Sequence, residues 1–293
     1  MTTIDVPAVP APATGNRLAR FCRFARRNPT MLLGAAILIF FIGVAIIAPL
    51  IAGDPMLKLP TRRLQPPSPA LRFGTDQLGQ DVFARTVYGA RVSLIVGFSV
   101  ATISILIGLT IGLFAGYYRR FDAIVMRLMD GLMAIPAILL AIAMVSLNQG
   151  SIGIVIAAIS IPELPRVVRL VRSIVLSVKE LPFVEAARAC SAKTPRILFR
   201  HIMPSTIAPL IVQATYICAS AILVEASLSF LGAGVPPEVP SWGNMIASSR
   251  LYLARAPWTI FCPAIALALV VLAVNLLGDG LRDRLDPRLS RRL

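Results

Sequence analysis

The chain is poor in the residues that do covalent chemistry. Histidine occurs once, at His201, so no Ser/His/Asp or Cys/His set is legible, and no paired-carboxylate site stands out either. No G-x-x-x-x-G-K-[ST] phosphate loop occurs, so the chain carries no visible site for hydrolysing ATP. Cysteine is sparse: Cys22, Cys190, Cys218 and Cys262 form no C-x-x-C spacing, and two of them sit inside apolar blocks. A disulfide framework or a zinc site is not expected; these are small hydrophobes or free thiols. No catalytic residue, metal ligand or cofactor-binding residue is assigned. Charge is scarce as well, at 15% of residues where a soluble domain carries about 25%.

What is present is apolar. Hydrophobic residues make up 57% of 293, and they fall in blocks long enough to cross a bilayer, which takes about 20 residues. The pattern predicts an all-α polytopic membrane protein with six transmembrane helices, at 30–52, 92–116, 123–147, 151–164, 207–231 and 258–277. The fourth is interrupted by I-S-I-P-E-L-P, whose Pro162 and Pro165 are tolerable if neighbouring helices re-satisfy the backbone. Residues 1–29 form a Pro/Ala-rich tail ending in Arg17, Arg20, Arg23, Arg26 and Arg27. The block after it is too long for a signal-peptide core and reads as an uncleaved first span. Residues 53–91 form a loop with an interfacial helix, 92–280 the core, and 281–293 a tail.

The net charge of +15 is a topology signal. With the N-terminus inside, 20 of the 29 Lys and Arg fall on the inner side and 8 on the outer. Both termini are expected in the cytoplasm, and with them the loop at 166–205. The arginines flank apolar blocks, which gives no support to a nucleic-acid partner. Arg166, Arg169 and Arg172, every third residue, resemble a voltage-sensor pattern, but at a span end they read as positive-inside anchors.

Inside the spans, Ser104, Gly108, Gly112 and Gly116 recur every fourth residue, a small-residue seam for close helix packing. The intramembrane polar candidates are Arg127, Asp130, Glu225 and Asn275. Arg127 and Asp130 are spaced to pair with each other. Glu225 is then the one unpartnered deep carboxylate. An ion-coupled secondary transporter would have to use it as a relay, a thin basis for proton transport.

The loop E-A-A-R-A-C-S-A-K-T-P-R-I-L-F-R-H-I-M-P (185–204) is surface-like. Pro182 suits a first helical turn, and Phe183, Ala186, Ala187 and Cys190 form one narrow stripe. Glu185 and Arg188 are spaced to pair. Thr194 is a natural N-cap and Pro195 a first residue for a second short helix, which Pro204 closes. Such a helix lies on lipid, packs on its own chain or docks in a partner's groove. Its Ala and Cys argue against strong lipid insertion.

At these residues the sequence resembles the E-A-A loop of bacterial ABC importer permeases: E-A-A, three residues, Gly, nine residues, Ile-x-Leu-Pro. Glu185, Ala186, Ala187 and Pro204 match; Met203 replaces the leucine, and His201 stands at the isoleucine. Phe73–Leu94, Met126–Pro136, Glu225–Gly243 and Asn275–Leu289 are similar to segments of the dipeptide, oligopeptide and nickel permeases, in order. The combination is similar to the C-type subunit.

The resemblance implies a type I importer permease of the inner membrane, forming half of a pore with a second homologous permease. Two ATPase subunits would bind ATP and Mg, and an external binding protein would deliver peptide, nickel or another small solute. Phe183, Glu185, Ala186, Ala187, Arg188, Ser191 and Pro204 would belong to the ATPase-coupling loop. The family's glycine falls on Ser191, where φ > 0 costs a serine more. Either the bend has moved to Lys193–Thr194 or Ser191 tolerates it.

Overall fold

The computed structural model describes residues 28–147 and 151–285; Cys22, the N-terminal arginines and the last eight residues of the C-terminal tail lie outside them. Among the described residues the chain is all-α. Helices α1 (Pro29–Ile51), α2 (Val82–Tyr117), α7 (Thr194–Phe230) and α9 (Trp258–Leu285) are each long and apolar enough to cross a bilayer. Between them lie α3 (Arg119–Ala134), α4 (Ala137–Leu147), α5 (Ile152–Val178), α6 (Pro182–Ala189) and α8 (Trp242–Ser249).

The expected third span is broken. Helices α3 and α4 meet at 86°, and counted as one bent span they make a fifth crossing. Ile135 precedes Pro136, and a residue before proline is pushed out of the helical region; its φ of −93° and ψ of 126° are extended. Helix α3 is also strongly two-faced: Val125 and Met129 are buried, while Ile124 and Leu128 are exposed. The fourth span, expected to stop at 164, instead runs unbroken through Pro162 and Pro165 to Val178. At 27 residues it is about 40 Å long. Its length is compatible with a sixth span, although it carries Glu163, Arg166, Arg169 and Arg172.

The small-residue seam sets the centre of the bundle. A Cβ on Gly108 would lie 2.5 Å from Val167, one on Gly112 2.7 Å from Val171, and one on Gly116 2.5 Å from Val175. The Ser104 hydroxyl faces the Ser160 carbonyl at 3.5 Å. Both residue series rise together, so α2 and α5 are parallel neighbours in backbone contact, and the three valines fill the grooves that the glycines leave. Helix α7 runs antiparallel to α2, with Gly97 against Cys218 and Ile222.

One end of the bundle is closed by folded loops. Asp81 caps α2 by accepting from the Phe83 N–H at 2.9 Å. Asp76 accepts from the Leu78 and Gln80 N–H groups and pairs with Arg85 at 2.8 Å, both side chains buried. Gly79, at φ +74°, lies so close to the Leu59 backbone that no Cβ fits. Trp242 is fully buried, and its Nε1–H donates to the Thr86 carbonyl. The segment at 53–81 contains one short helical turn, Pro60–Arg62.

Candidate functional site

Helix α6 projects at the opposite end. Pro182 starts it, and Val184, fully buried, pins it to the bundle core. Ala187 is half-buried against the same core, while Phe183 (47% exposed), Glu185, Ala186 and Cys190 face outward. The predicted stripe is therefore split. Phe183, Ala186 and Cys190 form an outward face, and Ala187 turns in. The expected Glu185–Arg188 ion pair is absent among the described residues; the Arg188 guanidinium lies 5.7 Å from the centre of the Tyr117 ring instead.

The turn that ends α6 answers the question posed by Ser191. Ser191 has φ +56°, the left-handed conformation. The Ala192 N–H donates to the Ala187 carbonyl at 3.1 Å and the Ser191 N–H to that of Arg188 at 2.9 Å. This is a Schellman ending, which normally uses glycine at the left-handed position. The bend has not moved; serine makes it at a conformational cost of about 1 kcal/mol.

The second half of the loop differs from expectation. Thr194 is the first helical residue, not the cap; Lys193 occupies the cap position without a side-chain bond. Pro204 does not close a separate helix. It lies inside a helix that runs continuously from Thr194 to Phe230, at the start of the α-helical part Met203–Phe230 and directly after a π-helical stretch. A π-helical stretch, Ile197–Ile202, buries Ile197, Leu198 and Ile202 at the junction. Only Cys190 to Lys193 separate the projecting helix from a 37-residue helix that traverses the bundle.

Glu225 is not unpartnered. It is fully buried and accepts from the Ser229 hydroxyl at 2.8 Å and from the Ser93 hydroxyl at 3.5 Å. Ser229 Oγ in turn accepts the Val235 N–H at 3.3 Å. The carboxylate thus ties α2, α7 and the loop at 232–241 together at the end away from α6. Its serine partners lie at i+4 and at a distant position, a pattern that sequence spacing discloses only in part.

Asp130 does not pair with Arg127. It bonds Arg169 of α5, and Asp122 bonds Arg172, with Nη2 to Oδ2 at 2.7 Å. Arg166, the third of the series, donates to Glu163 at 2.8 Å. Each arginine of R-V-V-R-L-V-R therefore has an acidic partner, and two of these pairs fasten α3 to α5. Arg127 lies with Ile124 and Leu128 along a groove on the outward side of α3. Asn275 is exposed and lines a cavity of about 630 Å³ between α7 and α9. Glu163, hidden in sequence between two prolines, is the polar residue that sequence reasoning missed.

Residues 108–291 match the family described as binding-protein-dependent transport system inner membrane component. The chain belongs to that family. Residues 17–67 match the N-terminal transmembrane domain of oligopeptide transport permease C. The permease is 62% identical over 270 residues to a probable peptide ABC transporter permease, y4tQ, of Sinorhizobium fredii, covering 92% of this chain and 93% of that one. It is 46% identical to the dipeptide transport system permease DppC of Alkalihalophilus pseudofirmus, covering 90% and 88%. In fold it is similar to a structure of the MetNI methionine ABC transporter in inward-facing conformations. The TM-score is 0.54 at 20% identity, covering 70% of this chain and 97% of that one.

Proposed function

We propose that the permease is one of two pore subunits of an ATP-driven importer of short peptides, and that α6 is where it receives work from an ATPase. Both termini and α6 then face the cytoplasm, as the Lys and Arg bias indicates. The 53–81 and 232–257 segments meet an external binding protein. Peptide is favoured as cargo because the relatives named above are peptide and dipeptide permeases.

The observation that carries this reading is the construction of α6. An eight-residue helix turns Phe183, Glu185 and Ala186 outward, while Val184 and the Ser191 turn hold it against the bundle. An exposed aromatic beside a flat alanine surface suits docking in a partner's groove. A push on α6 crosses a four-residue link into a continuous helix about 55 Å long. Displacement at the docking face therefore reaches Glu225 and the loops at the far end with little slack.

Co-purification tests this directly. The permease should be recovered with a second permease and a pair of ATPase subunits, and the complex should accumulate peptide in vesicles only with ATP and binding protein. A permease that runs alone and moves solute under a proton gradient would overturn it.

A further inference from the structure

The parallel packing of α2 and α5 fixes the depth of the charges on α5. Ser104 lies halfway along the apolar stretch 92–116 and faces Ser160. Glu163 and Arg166 then stand about 5 Å and 9 Å past the bilayer midplane, within the roughly 15 Å half-thickness of hydrocarbon. Charged groups at that depth avoid lipid and mark water-filled paths. Glu163 is largely covered, but the Arg166 side chain is 48% exposed on a face that no other part of the described chain occupies.

This arginine is held in place and incompletely used. Nη1 donates to Glu163, and the guanidinium lies 5.2 Å from the centre of the Tyr216 ring. Its Nε and Nη2 donate to nothing among the described residues. A guanidinium fixed on one side by a carboxylate and an aromatic ring, with its remaining N–H groups free, is arranged to take a second carboxylate. Tyr216 also borders the cavity of about 630 Å³ that leads past Gln213 and Asn275 to Asp279 and Arg282. The Gln213 amide nitrogen is buried there with no partner among the described residues.

We propose that Arg166 is a carboxylate-binding subsite on the translocation path, taking the C-terminal carboxylate of the peptide as it passes the midplane. This rests on the importer reading above. Glu163 and Tyr216 are positioning residues for it.

The test uses the complete complex in proteoliposomes, with binding protein saturated by dialanine or by dialanine amide. Wild type should move the free acid faster than the amide. Arg166→Gln should lower dialanine uptake at least about tenfold and bring the acid-to-amide ratio near one. Stimulation of ATP hydrolysis by the binding protein should persist, and Arg166→Lys should restore part of the preference for the acid. Wild-type uptake and an unchanged ratio in Arg166→Gln would overturn the subsite. So would loss of the second permease from the purified complex in both variants, which would make Arg166 a contact between permeases. Failure of the wild-type complex to move any peptide would instead overturn the importer reading itself.

Discussion

The Ala192 N–H reaches back across Ser191 to the Ala187 carbonyl at 3.1 Å, and Ser191, at φ +56°, is the residue that lets it do so. The projecting helix is therefore ended by a strained serine at the position where the family pattern has glycine.

Ser191→Gly should relieve that strain, raising the stability of the complex by about 1 kcal/mol and leaving peptide uptake equal or higher. Ser191→Val, β-branched at a left-handed position, should lower both. Thermal unfolding of the purified complex, alongside uptake, checks the pair. A clear loss of transport in Ser191→Gly would show that the hydroxyl matters more than the backbone conformation.

Gly108 meets only side-chain atoms at close range, those of Val167. Gly108→Ala should destabilise the membrane domain by about 1–3 kcal/mol, and Val167→Ala placed with it should recover only part of that loss, because it removes Cγ1 at 2.5 Å but keeps the Val167 Cβ at 2.6 Å. Gly112 also meets a backbone oxygen, that of Val168 at 3.0 Å, beside the Val171 side chain. Gly112→Ala should therefore be rescued less well by Val171→Ala. Denaturation midpoints of the single and double variants measure the difference.

Glu225 is bonded by Ser93 and Ser229, and on the importer reading it is expected to serve packing and not proton transfer. Glu225→Gln preserves the shape and the acceptor for Ser229, so uptake should remain within about twofold. Glu225→Leu strands buried hydroxyls and should cost about 1–3 kcal/mol, with loosening of the 232–241 loop. Hydrogen exchange in that loop reports the second effect. Loss of uptake in Glu225→Gln with assembly intact would contradict the assignment.

Much of this was legible beforehand because membrane helices are written in long apolar blocks. The seam from Ser104 to Gly116 could be read from its spacing, although not its partner, since Val167, Val171 and Val175 are ordinary residues until a glycine faces them. The projecting helix was marked by Pro182, and its left-handed ending was posed, though not settled, by a family glycine replaced with Ser191. What escaped was long-range. Asp122 and Asp130 find arginines on a helix some 40–50 residues away, and local spacing favoured Arg127 instead. The two prolines around Glu163 suggested a span end, because sequence alone could not show that packing along α2 would carry the helix through both.

The central claim is that α6 transmits ATP-driven motion, and Ala186 is the residue to test it on. Unlike Ala187, it faces away from the bundle, so a bulky side chain there spares the core. In the reconstituted complex, Ala186→Trp should abolish peptide uptake and the stimulation of ATP hydrolysis by the binding protein, with the permease pair still assembled. Full uptake with full stimulation in Ala186→Trp would contradict the account.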